Sequence, residues 1–191
     1  MASAFSHAVV ALALGRAVPN GLFDGRVLWI GALCAILPDA DVLGFSIGIA
    51  YGDLWGHRGM THSLVFALLL GVAVAAVGYR DRPAQLRLWL AGYFAACTAS
   101  HGLLDAMTSG GLGVAFFAPF DPTRYFFPLR PVLVSPVGVG EFFSRYGLHV
   151  IGSEILWIWG PALAWFLLCR GLWTIRLRKV PAGPFQPTQP D

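Results

Sequence analysis

Residues 26–48 read RVLWIGALCAILPDADVLGFSIG. An α-helix rises 1.5 Å per residue, so a run of this length reaches across a hydrocarbon core of about 30 Å. Near its end it carries Pro38, Asp39 and Asp41. A carboxylate at membrane depth is costly and points by default to a functional site. Pro38 frees backbone groups that lipid cannot satisfy, so this end of the helix must be packed or wet. The composition agrees. Of the 191 residues, 57% are hydrophobic and 12% charged, against roughly 45–50% and about 25% in soluble domains. Too little polar surface remains to cover a water-soluble globule, which argues against a soluble enzyme and against a disordered chain.

Working outward, four more apolar stretches lie at about 4–18, 62–79, 86–108 and 148–173. The expected fold is all-α: a polytopic bundle of about five transmembrane or membrane-embedded helices, forming a single domain over residues 1–180. Residues 181–191 are Pro-rich and polar and are expected to be a disordered tail. The first stretch has no basic segment ahead of it and reads as a retained helix rather than a signal peptide. If the stretches alternate, Arg16, Arg26, Arg80, Arg82, Arg87, Arg170, Arg176, Arg178 and Lys179 share one face. Arg58, Arg124, Arg130 and Arg145 share the other. The positive-inside rule makes the first face cytoplasmic, with the N-terminus out and the C-terminus in. All five histidines and most acids then fall at the outer ends. The net charge of +3 comes with no basic patch on a wettable face, so no nucleic-acid partner is expected. Cys34, Cys97 and Cys169 show no CxxC spacing and read as small buried hydrophobes.

Four runs carry nearly all the polar chemistry: Ser6-His7, Pro38-Asp39-Ala40-Asp41, residues 57–63 (HRGMTHS) and Ser100 to Asp105 (SHGLLD). His101 and Asp105 are spaced i,i+4, so a helix puts them on one face about 5–6 Å apart. That pair can grip a metal ion or simply hydrogen-bond. Beyond Pro38 an extended segment would point Asp39 and Asp41 the same way. Two such carboxylates repel unless a cation sits between them. His57 and His62 bracket a Gly-containing turn, with Thr61 as a candidate N-cap. Each run alone has a plain reading as an interfacial anchor, turn cap or helix pair. Together they place His7, Asp39, Asp41, His57, His62, His101 and Asp105 at the outer ends of separate helices. This exceeds the four ligands of one zinc and suits two ions of Zn²⁺, with Mn²⁺ or Fe²⁺ as substitutes. Paired ions are a common device for hydrolysing phosphate esters.

The ordered motifs SHAVVALALG (6–15), LPDADVLG (37–44), HRGMTHS (57–63), SHGLLDAMTSGG (100–111) and PFDPTRYFFP (119–128) carry a resemblance. The chain resembles the membrane-bound metal-dependent hydrolases of the YdjM/YbcI type, also labelled LexA-binding inner-membrane-associated hydrolases, over about residues 3–170. That family is grouped with zinc-dependent phospholipase C and single-strand nucleases. The resemblance implies a phospholipase C/nuclease-like helical core, with ligand roles for His7, Asp39 or Asp41, His62, His101 and Asp105, joined by His57. The grouping also implies a later His and Glu four apart. His149 and Glu154, five apart, are the nearest match, and Glu154 is carried as a candidate ligand. A LexA interaction is implied by the label alone, and an outward-facing site does not explain it.

The expected function is a metal-dependent hydrolase of the bacterial inner membrane. It would cleave a phosphoester of a lipid or lipid-linked head group with activated water near the periplasmic face. Whichever of Asp39 and Asp41 is not a ligand is the candidate general base. Arg124 and Arg58 are candidate phosphate holders, although either could snorkel to lipid phosphates. Phe116, Phe117, Phe126 and Phe127 could line an acyl path. The rival readings are a metal transporter or sensor and a scaffold with a structural ion. Transport lacks an acid or histidine relay toward the inner face. A protease lacks HExxH.

Overall fold

The computed structural model describes residues 1–18, 23–136 and 139–179. The expected disordered tail, 181–191, lies outside the described residues. The fold is all-helical, and the described residues contain no strand beyond two isolated bridges, Thr108 with Val132 and Val114 with Tyr125. Helix α1 spans Ala4–Arg16, and Ser3 caps it by accepting from the Ser6 N–H. Helix α2 spans Gly25–Ile36 behind Asp24, whose carboxylate accepts from the Val27 N–H at 2.9 Å. Helix α3 spans Leu64–Gly78 and α4 spans Ala84–Ala106. A short α5 (Val139–Phe142) precedes α6 (Arg145–Glu154), which widens into a π turn at Ile155–Trp159 and continues as α7 (Gly160–Lys179). The five apolar stretches correspond closely to these helices. The cap of α3 is Ser63, accepting from the Phe66 N–H at 3.1 Å, and not Thr61.

Pro38 sets the path of the chain beyond α2. Proline has no N–H and its ring crowds the carbonyl four residues back, so the α-helical ladder stops. The chain tightens into a 3₁₀ helix over Leu37–Ile47, which ends at Gly48 with φ 87°. Runs of 3₁₀ beyond 3–4 residues are uncommon and often mark strained or functional places.

Only two helices among the described residues are long and apolar enough to cross a membrane, Gly25–Ile47 and Arg145–Ile175. This corrects the expectation of about five. At 1.5 Å per residue, the 13 residues of α1 and the 15 of α3 reach only about 20–22 Å, short of a ~30 Å core. Helix α4 has the length but carries Gln85, Arg87, Ser100, His101 and Asp105. It is the hub of the molecule, packed by α1, α2 and α3.

The main apolar core lies among these four helices, around Leu28, Leu90, Phe94 and Cys97. Tyr93 is its polar exception, and its hydroxyl donates to the Ala11 carbonyl at 3.1 Å. Gly15 and Gly31 make room for that ring: a Cβ at either would stand 2.4–2.6 Å from the Tyr93 hydroxyl. A second cluster joins Ala2, Leu104, Val132 and Ile158, which ties the chain start to α4 and the π turn. Cys34 and Cys97 are buried free thiols and Cys169 is half-buried and free.

Candidate metal centre

Four elements meet above the core: the start of α1, the 3₁₀ segment after α2, the turn before α3 and the last turns of α4. Asp39, His62, His101 and Asp105 come together there, with one ligand atom from each within 4.8 Å of the others. His101 donates from Nδ1 to the Ala35 carbonyl at 2.7 Å. A carbonyl only accepts, so this contact fixes the tautomer and leaves Nε2 as a lone pair. That nitrogen lies 3.3 Å from Asp39 Oδ1, 3.9 Å from Asp105 Oδ2 and 3.0 Å from His62 Nε2.

His62 sits between two sets of acids. Its Nε2 faces Asp39 Oδ1 at 3.7 Å and Asp105 Oδ2 at 3.6 Å, while its Nδ1 lies 3.2 Å from Asp41 Oδ2. Burial works against a charged ring, but contacts with Asp105, Asp39 and Asp41 outweigh it and push the His62 pKa up to about 10. Without a cation, the imidazolium of His62 supplies the positive charge that the acids require.

The two aspartates do not pair with each other as an extended segment would make them. In a 3₁₀ helix successive residues turn by about 120°, so i and i+2 face apart. Asp39 therefore turns to His101 and Asp41 to His57. Asp41 Oδ1 lies 2.7 Å from His57 Nδ1, and its Oδ2 accepts from the Thr61 hydroxyl at 2.8 Å and the Arg58 N–H at 3.2 Å. Asp41, His57 and His62 form a second group of possible ligands. Since their atoms already satisfy one another, Asp41 acts as the carboxylate behind the histidines that holds their rings in place.

His7 arrives from α1 and stacks on His101, with ring centroids 3.7 Å apart, and its Nε2 lies 3.7 Å from Asp105 Oδ1. Both His7 nitrogens, both Asp39 oxygens and Asp105 Oδ2 are buried without a hydrogen-bond partner. An unsatisfied buried polar atom costs about 1–3 kcal/mol, yet five converge on one place. Imidazole nitrogens and carboxylate oxygens are the donor set of Zn²⁺, Mn²⁺ or Fe²⁺. The orphaned atoms and the donor chemistry both fit a divalent cation held by Asp39, His62, His101 and Asp105, with His7 alongside.

Three candidates are occupied elsewhere. Arg58 is buried at φ 65°, a left-handed backbone unusual for a side chain of this size. Its Nη1 donates to the Gly110 carbonyl at 2.9 Å and its Nη2 to the Thr108 hydroxyl at 3.0 Å. Its Nε lies 3.1 Å from Asp105 Oδ2, within ion-pair reach though not aligned as a hydrogen bond. It anchors Asp105 rather than standing free for a phosphate. Arg124 donates to the carbonyls of His57, Tyr51 and Asp53 at 2.9–3.1 Å, latching the 51–57 loop. Glu154 lies outside both ligand groups. It accepts from the Ser3 N–H and hydroxyl, each at 2.5 Å, and from the Ser6 hydroxyl at 2.8 Å. His149 is exposed, with Nδ1 on the Arg145 carbonyl.

The sequence did not reveal the supporting partners. The Ala2 N–H donates to Asp105 Oδ1 at 2.7 Å and the Ala35 carbonyl holds His101. Backbone groups have no sequence signature. Ser3 and Ser6, polar residues at the head of an apolar helix, are a visible hint of the Glu154 contact.

The model of the family described as "YdjM inner membrane protein" matches residues 1–177. The chain is 39% identical over 174 residues to inner membrane protein YbcI of Escherichia coli strain K12, covering 91% of this chain and 98% of that protein. No solved structure matches it. Both similarities are to inner membrane proteins, in keeping with two helices long and apolar enough to cross a membrane. The chain belongs to the YdjM inner membrane protein family.

Proposed function

We propose that this protein is a membrane-embedded metal-dependent hydrolase acting on a phosphoester of a lipid or lipid-linked head group. The observation that carries the reading is the convergence of orphaned lone pairs from His7, Asp39 and Asp105 beside His62 and His101. A divalent ion held there would supply Lewis acidity toward a phosphoryl oxygen and make water a better nucleophile at neutral pH. The chain's own residues do the rest. Arg58 and the Ala2 N–H fix the two oxygens of Asp105. The Ala35 carbonyl fixes the His101 ring. Asp41 holds Nδ1 of His57 and so orients its ring, leaving Nε2 as the candidate acceptor for a proton. The apolar shell of α1–α4 limits water around the cluster.

One observation favours a second reading, a structural ion: His7, His101 and Asp105 are fully buried. A closed four-ligand site stabilises a fold, whereas an open position does chemistry. The test is lipid-product mass spectrometry on membranes overproducing wild type, His101→Ala or Asp105→Ala at matched levels. The hydrolase reading expects a lipid product in wild type that falls at least about 100-fold in both variants, since removing a ligand costs no less than removing its support. Identical lipid profiles would leave the structural-ion reading.

A further inference from the structure

We propose that the groove between α2 and α3 holds the hydrocarbon chain of a membrane phospholipid, whose head group reaches the Asp39 cluster from within the bilayer. This deepens the hydrolase reading and rests on it for its chemistry; the groove itself stands on separate observations.

The groove is open and has a volume of about 600 Å³, within the ~300–1,000 Å³ of small-molecule sites. Ile30, Leu33 and Leu37 form one wall and Leu70 and Val74 the other. The charged residue lining it is Asp39. With a divalent cation held at its acidic end, this apolar trough would match an amphiphile with a hydrocarbon chain and an anionic head group. Its first wall belongs to Gly25–Ile47, a segment long and apolar enough to cross a membrane, and the proposal turns this wall toward lipid. Leu33 and Leu37 are exposed and have no protein cover.

Access supports the same assignment. Within the cluster, the side chains of His7, His57, His62, His101, Asp41 and Asp105 are at most 2% exposed, whereas that of Asp39 is 10% exposed. Asp39 is thus the least enclosed of them: its carboxylate oxygens are buried, but the residue lines the groove, so a head group would reach the cluster past its side chain. Three other apolar grooves contain none of the candidate ligands: one between α1 and α7, one at Trp157 and Trp165, and one at Trp89. The loop phenylalanines do not line it. Phe116 is buried with Ala106 and Val114, while Phe117 and Phe127 are exposed.

The experiment uses full-length protein in nanodiscs containing phosphatidylglycerol with a photoactivatable group on the acyl chain. Cross-links are located by mass spectrometry in wild type, Val74→Trp, Leu33→Trp and the control Leu167→Trp. The expected result is labelling of Leu33, Leu37, Leu70 and Val74 above that of the exposed α7 residues Leu167 and Leu168. A tryptophan in either wall should lower groove labelling about tenfold, equivalent to ~1.4 kcal/mol of binding, with unchanged metal content. Leu167→Trp should leave groove labelling unchanged. Equal labelling of groove and α7, or labelling indifferent to both wall variants, means bulk lipid only and overturns the proposal. Groove labelling without any lipid product supports the groove and removes the hydrolase reading, so the two failures are distinct. If Val74→Trp does not fold, the more exposed Leu33→Trp carries the test alone.

Discussion

His62 is the residue on which both sets of acids close, one at each ring nitrogen. Asp41 holds its Nδ1 side, so Asp41→Asn should keep every proposed ligand yet weaken cation affinity about 10–100-fold, measured by competition with a zinc chelator. The proton on His62 adds a pH dependence. Its folded pKa of about 10 lies above the ordinary 6.5, so in metal-free protein its charge contributes stability that is complete below 6.5 and is lost as pH rises through about 10. Cation binding must displace that proton, so affinity should rise with pH across the same window. Thermal unfolding between those limits, with and without zinc, should show His62 stabilising the metal-free form at the acid end and zinc adding most at the alkaline end. A zinc shift independent of pH would remove His62 from the ligand set. At this scale the sequence is partly legible. The i,i+4 spacing of His101 and Asp105 places both on one face of α4, because a helix repeat is fixed. Asp39 and Asp41 mislead in sequence because the spacing of two carboxylates means opposite things in an extended chain and in a 3₁₀ turn. Arg124 looks free there because its partners are carbonyls of a loop far away in sequence.

Helix α4 carries the site because other helices approach it closely. Gly71 of α3 lies against the α4 backbone, where a Cβ would stand 2.5 Å from the Ala95 nitrogen and 2.6 Å from the Ala91 oxygen. Backbone atoms within a helix cannot turn aside as a side chain does. Gly71→Ala should therefore destabilise the protein by about 1–3 kcal/mol, read as a lowered Tm in detergent. No change in Tm would mean that α3 and α4 are not packed this closely. The helices are legible because apolar runs of these lengths admit little else. The number of spans is not: α1 and α3 are apolar yet fall short of a hydrocarbon core, while α4 has the length but buries one face against α1, α2 and α3. Hydropathy alone does not separate a helix facing lipid from a helix facing helices.

Across the whole molecule, charge and chemistry separate by end. Arg26 lies over the Tyr79 ring at 5.6 Å, and Trp173 donates to the Ala17 carbonyl at 3.1 Å. The start of α2, the end of α3, the end of α1 and the later turns of α7 thus gather at one pole, with Arg16 and Arg26. The candidate ligands gather at the opposite ends of α2 and α4. The positive-inside rule makes an outward-facing site the expected orientation. Leu112, exposed in the loop after α4, offers the check: Leu112→Cys in spheroplasts should react with a membrane-impermeant maleimide, and protection there with labelling only in inverted vesicles would reverse the orientation. Everything functional depends on whether a cation is held where Asp39, His62, His101 and Asp105 meet. Elemental analysis of purified full-length protein, beside His101→Ala and Asp105→Ala of equal helicity, decides it. Bound zinc, manganese or iron in wild type and its loss from both variants is the expected result. Metal-free wild type that takes up none of the three on dialysis, or variants that keep the full complement, would contradict it.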